Sequence, residues 1–184
     1  METSVMTTHL MLDIESLSTR VGAIVLSVAL VRFSDEAQIT LNLSVPEQEA
    51  LGLEKDPKTL EWWGCQDTSA WLKATSNPFQ IEVALPYISQ WIQWAAPNGD
   101  FLIWCHGAPF DCPILEEVYR RAGIACPWKF WQIQDTRTLY NLAGVNPKDP
   151  LYQVPPPHVA LNDALGQTRA ANAALAILSR AHAA

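Results

Sequence analysis

A chain of 184 residues, 49% hydrophobic and 17% charged, is long enough to bury a core and has a globular rather than a disordered balance. Twelve basic against nineteen acidic side chains leave a net charge of −7. That argues against a broad basic face gripping duplex DNA through counterion release, but not against a nucleic acid held at one point.

Met1 to Thr8 is polar and reads as a flexible N-terminus without the pattern of a secretory signal. Leu10 to Ile14 has the look of a short buried strand ending on an acid, and after a turn near Ser16 to Gly22 a second strand runs from Ala23 to Phe33. The most apolar run, Val21 to Val31, is about half the length of a membrane helix, so no membrane association is expected. Gln38 to Val45 alternates Ile39, Leu41 and Leu43 with polar residues, which completes an antiparallel meander. Pro57 suits the first turn of a helix carrying Leu60, Trp62 and Trp63, and Asp67 can cap a short helix through Lys73. Phe79 to Ala96 has helical spacing, with Pro86 marking a kink or a later start. A strand at Phe101–Trp104, a helix from Phe110 to Arg121, a strand at Trp131–Ile133 and a helix at Thr136–Leu142 follow. Asn162 or Asp163 then opens a closing helix, rich in alanine, to about Arg180. The expected class is α/β: a mixed central sheet, antiparallel meander first and parallel strands after, flanked by helices in one domain over residues 1–184.

Three short patterns carry chemistry. In Asp13-Ile14-Glu15 the carboxylates are two apart on a strand, so both face one side while Ile14 faces the core. Asp111 follows Gly107-Ala108-Pro109-Phe110 directly after a core strand, where strand ends of an α/β sheet converge on a site. His158 and Asp163 are separated by four residues, the histidine behind three successive prolines and the aspartate at a helix start. Each alone is ordinary: a chance DxE, an acid complementing a helix dipole, a surface histidine. Their order along the chain makes the combination informative. The four cysteines (Cys65, Cys105, Cys112, Cys126) form no CxxC pair and no zinc-like spacing, as expected of reduced thiols in a cytosolic protein.

Asp13/Glu15, Asp111 and His158/Asp163 together resemble the three motifs of the DEDDh 3′–5′ exonucleases, a group within the ribonuclease H-like superfamily. The resemblance runs from about residue 8 to residue 180. Gly107-Ala108-Pro109-Phe110-Asp111 with Pro113-Ile114-Leu115, the Trp62-Trp63 segment and Asp135-Thr136-Arg137-Thr138-Leu139 are similar to ribonuclease T-like enzymes. That subgroup includes the mycobacterial-type 3′ exoribonucleases and the phage exodeoxyribonuclease VIII-like nucleases. Many DEDDh enzymes carry asparagine where Gly107 stands, so one substrate or supporting contact is missing here.

The resemblance implies a bacterial or phage enzyme, cytoplasmic, that hydrolyses single-stranded DNA or RNA 3′ ends to nucleoside 5′-monophosphates. Four carboxylates without a thiolate suit two Mg²⁺ or Mn²⁺ ions. Asp13 would bridge them, Glu15 and Asp163 would complete the nucleophile-side ion, Asp111 would hold the second, and His158 would take the proton from the attacking water. Ser16 and Leu17 would meet the terminal nucleotide, Leu17 as a wedge, with Phe110 near the same pocket or in the core. Asp135 supports the site or caps a helix. Eight tryptophans invite base stacking, but Trp62, Trp91 and Trp104 fit core positions. Related enzymes often act as homodimers. Two alternatives stay open: a catalytically silent nucleic-acid-binding or interaction module, and a hydrolase of small phosphoesters.

Overall fold

A computed structural model describes residues 7–182, with the side chain of the last of these excepted. Five strands form one mixed sheet in the order β3-β2-β1-β4-β5. The meander β1 (Thr8–Ser16), β2 (Val25–Arg32) and β3 (Gln38–Asn42) is antiparallel, whereas β4 (Phe101–Cys105) and β5 (Ile133–Asp135) run parallel to β1. The expected α/β class and the expected sequence of antiparallel then parallel strands are both present. Residues 1–6 of the expected flexible terminus lie outside the described residues, and Thr8 already belongs to β1, its N–H bonded to Asp100 O.

Strand alternation divides the interior in two. Leu10, Leu12 and Ile14 of β1, with Phe101, Ile103 and Cys105 of β4, face one cluster built with α4 (Ile81–Ala95) and α5 (Asp111–Arg121). Met11, Ala29, Val31 and Trp104 face the other, against α6 (Thr136–Ala143) and α7 (Ala160–His182). Asp13 and Glu15 fall in the phase of Met11, so the second face is the one that carries them. Across β2 they meet Ala29 and Ser27, small residues that leave room for two carboxylates. The buried alanines of α7 (Ala164, Ala170, Ala171, Ala174) leave little side chain between that helix and the sheet.

Several boundaries differ from the sequence-based expectation. The strand expected to Val45 stops at Asn42, because Pro46 has no N–H to give a ladder and instead sits in the first turn of α1 (Val45–Ala50). α4 runs through Pro86 and starts at Ile81, since Phe79 is taken by β3, donating its N–H to Asn42 O. Phe130–Gln132 is a single 3₁₀ turn with exposed aromatics, and the strand expected at Trp131 begins at Ile133. The closing helix begins at Ala160, which puts Asp163 in its first turn rather than at its cap. α2 (Pro57–Gly64) and α3 (Thr68–Thr75) form as expected, each capped by an aspartate, Asp56 and Asp67. No helix among the described residues is long and apolar enough to cross a membrane.

Candidate active site

β1 outruns its parallel neighbour: pairing with β4 ends at Met11–Trp104, two residues before Asp13. On that freed edge the Ile14 N–H still needs an acceptor. Asp111, at the first position of α5, supplies it through Oδ1 at 3.2 Å. The second-motif acid is thereby fixed to the backbone between the two first-motif acids, 97 residues away in the chain. A register shift between Glu15 and Ser16 bends the strand immediately after these acids, and Trp63 Nε1 holds the bend by donating to Ser16 O at 3.0 Å.

The third motif arrives from the other side. His158 stands in a left-handed backbone conformation, φ 59°, and its N–H donates to Asp163 Oδ2 at 2.9 Å. For a residue with a Cβ this conformation is costly, and here it turns the loop so that imidazole and carboxylate face the same space. Glu15, His158 and Asp163 each offer one donor atom within 4.8 Å of the other two. Asp13 lies within electrostatic reach of Asp111, Glu15 and Asp163. All five residues singled out in the sequence therefore converge.

The electrostatics are those of an uncompensated cluster. Burial, then the charges of Asp111, Glu15 and Asp163, hold Asp13 well above the usual carboxylate range, against the opposing hydrogen bond from Gln167. Glu15 is pushed up to about 8 by burial and by Asp163 and Asp111. Burial raises Asp111 to about 7, although the Ile14 N–H, its own amide and Arg137 all act to lower it. Asp163 is raised by burial, with the His158 N–H and imidazole opposing. Among the described residues no lysine or arginine is ion-paired with any of the four. Oxygen donors with one imidazole and no thiolate, short of positive charge, fit a hard divalent cation.

The other expectations fare unevenly. Ser16 is buried, its hydroxyl donating to Ser18 O. Leu17 is only 3% exposed and packs in the first cluster, so its side chain belongs to the core and not to a wedge. Phe110 is half-buried: it packs on the core and also lines a cavity of about 410 Å³ with Ile14, Glu15, Ser16, Lys58 and Trp62. Trp62 is a correction. It is 41% exposed, because the face of α2 that is buried belongs to Trp63, and its ring stands edge-on to His158 at 4.8 Å. Trp104 is buried and Trp91 packs on the core, as expected. Asp135 caps α6, as one of the two expectations has it, through the Thr138 N–H, and it also accepts the Ala108 N–H at 2.8 Å. Gln167 was not singled out, yet its Nε2 reaches Asp13 Oδ1 at 2.7 Å. Its place four residues after Asp163, on one helical face, was the available signal.

Comparison with known proteins bears on the family and the fold. Residues 8–175 match the family described as the 3′–5′ exoribonuclease Rv2179c-like domain. No curated protein gives a significant match to the sequence. Among solved structures the chain is similar to cell-death related nuclease 4 (CRN-4), with a TM-score of 0.63 and 15% identity over 95% of this chain and 63% of that one. It thus spans less than two thirds of that nuclease. It is also similar to the nuclease domain of 3′hExo, a DEDDh family member solved bound to rAMP, with a TM-score of 0.56 and 10% identity over 96% of this chain and 94% of that one. At such identities the structural likeness speaks for the fold alone, which this chain shares with both nucleases. With its sequence match covering residues 8–175, the chain belongs to the family of Rv2179c-like 3′–5′ exoribonuclease domains.

Proposed function

We propose that the chain is a single-unit 3′–5′ exonuclease that acts on single-stranded RNA ends and releases nucleoside 5′-monophosphates. One observation carries the reading: Asp13, Glu15, Asp111 and Asp163 are gathered without a paired cation, and His158 stands among them. Structural acids are seldom buried this way, because each charge raises the cost of the next. The donor set fits divalent cations such as Mg²⁺ or Mn²⁺, which Asp13, Glu15, Asp111 and Asp163 would hold. When bound they supply Lewis-acid stabilisation of the phosphate and of the departing 3′ oxygen.

His158 acts as general base, taking a proton from the attacking water at a ring nitrogen. Its strained backbone and the neighbouring Trp62 ring keep the imidazole beside Glu15 and Asp163. The cavity lined by Ser16, Trp62 and Phe110 has the volume for one nucleoside and opens against Glu15, which suits the terminal base and sugar. RNA is preferred to DNA here on the strength of the family's description. A cytoplasmic setting is supported by four free cysteines, two of them buried side by side as thiols.

The test is digestion of matched RNA and DNA oligonucleotides, labelled at the 3′ or the 5′ end, with Mg²⁺, Mn²⁺ or chelator. Immediate release of the 3′ label as a mononucleotide, blocked by chelator and faster on RNA, is expected. Binding without cleavage would leave the chain an interaction module, and faster DNA cleavage would overturn the substrate assignment.

A further inference from the structure

The chain has twelve lysines and arginines. Six are committed to ion pairs: Arg20, Arg32, Lys55, Arg120, Arg121 and Arg169. Among the cations without an ion pair in the described residues, Lys58 lines the cavity at Glu15, while Arg137 and Lys148 both lie near His106. In an acidic protein this placement needs a reason, since a polyanionic substrate must approach four further negative charges.

Arg137 is exposed, but its position is tightly determined. Thr136 beside it is fully buried and donates its hydroxyl to Cys105 O at 3.0 Å. Asp135 ties the start of α6 to the Ala108 N–H. These bonds lay the Arg137 guanidinium over Gly107, so closely that a Cβ there would meet its Nη1 at 3.0 Å and its carbon at 3.2 Å. Gly107 has a φ of +114°, which also disfavours a side chain. The space of the missing side chain is therefore taken by an arginine fork with no hydrogen-bond partner of its own among the described residues.

Lys148 lines a cleft of about 310 Å³ together with His106, Gln153, His158, Asp163 and Gln167. The loop that carries it is pressed on α7, where Gly166 leaves room for Tyr152 O at 3.0 Å from a would-be Cβ. Both cations bear on His106, whose imidazole is lowered first by burial and then by Arg137 and Lys148, with Asp135 opposing. This cleft meets the carboxylates at Asp163, whereas the Trp62–Phe110 cavity meets them at Glu15, and the two share no lining residue.

We propose that Arg137 and Lys148 form the track for the phosphates on the 5′ side of the scissile bond. This deepens the exonuclease reading and rests on it. A strand whose last nucleoside fills the Trp62 cavity leaves the carboxylates through the second cleft, and its upstream phosphates pass both cations. Each phosphate so neutralised contributes about −0.7 to the slope of log affinity against log salt for a single strand.

The experiment compares the wild type with Arg137→Gln/Lys148→Gln on two substrates: a single-stranded oligonucleotide and a dinucleoside monophosphate, which has no upstream phosphate. On the oligonucleotide the variant should raise KM roughly tenfold with kcat nearly unchanged, and flatten the salt slope by about 1.4. On the dinucleoside monophosphate both proteins should behave alike at saturating Mg²⁺, which outweighs the loss of the Arg137 charge on Asp111. Arg137→Lys alone should keep most of the salt slope, and equal melting temperatures exclude a folding defect. If wild type cleaves neither substrate, the exonuclease reading itself fails. If it cleaves both and the variant is unchanged on the oligonucleotide, or equally impaired on both, the track is overturned.

Discussion

Gln167 on α7 donates Nε2 to Asp13 Oδ1 on β1 at 2.7 Å, across 154 residues of sequence. Its own Oε1 is buried with no partner among the described residues, so the amide serves Asp13 alone. An unsatisfied buried acceptor costs about 1–3 kcal/mol, and such a cost is tolerated where orientation matters. With Oδ1 engaged, Asp13 would offer its Oδ2 to a cation under the proposed function.

Gln167→Leu should weaken Mn²⁺ affinity by roughly 10–100-fold while leaving kcat at saturating metal close to wild type. Gln167→Glu should not reproduce this loss, because a fifth carboxylate adds to the attraction for the cation. Calorimetric titration of metal into the apo protein measures both. Unchanged affinity in the leucine variant would show that the hydrogen bond positions nothing.

Removing one of the four acids should trade activity for stability. Asp13 is held well above the ordinary carboxylate range by burial and by its three acidic neighbours, so its ionised form opposes folding near neutral pH. Asp13→Asn should raise the melting temperature of the metal-free protein, by ~2–4 °C for each kcal/mol of repulsion relieved. Turnover should fall by about 10³-fold or more. A lower melting temperature for the variant in chelator would contradict the electrostatic account.

The same shifts set the pH dependence of the apo protein. Glu15 at about 8 and Asp111 at about 7 both lie above their unfolded values. Across the window from about pH 4.5 to 8 the native state then holds more protons than the unfolded state, and stability falls as pH rises. A divalent cation binds the deprotonated form, so the thermal shift on adding Mg²⁺ or Mn²⁺ should be larger at pH 8 than at pH 5.5. Melting curves at both pH values, with and without metal, check the sign. An apo protein that gains stability from pH 5.5 to 8 would refute it.

His158 and Trp62 touch, at 4.8 Å between ring centroids, yet their losses should register differently. His158→Ala should lower kcat by roughly 10²–10⁴-fold, as for a general base, with the fold retained. Trp62→Ala should act mainly through KM on oligonucleotides, since stacking a base is worth about 1–3 kcal/mol. Steady-state kinetics separates the two. A kcat loss in Trp62→Ala as large as that of His158→Ala would mean that the tryptophan works only by holding the imidazole.

Much of this was legible in the chain. Period-two alternation in β1 already put Asp13 and Glu15 on one face and Ile14 on the other, and the Pro57 and Asp67 signals found their helices. Less legible were positions where competing local and long-range partners decide, such as Val45 beside Pro46 or Trp131 in its 3₁₀ turn. The helix pattern at Trp62 gives one apolar stripe but not its width, and packing gives the buried place to Trp63.

By itself the sequence determined the residue types, their order and their local phase: four acids, one histidine, a meander and then parallel strands. The tertiary structure alone decided which long-range groups meet them. β1 outrunning β4 freed the Ile14 N–H for Asp111, α7 brought Gln167 to Asp13, and the glycine at 107 admitted Arg137. The physical reason is range. Phase and propensity act over a few residues, whereas hydrogen bonds and charges between distant segments form only where packing has already placed their partners.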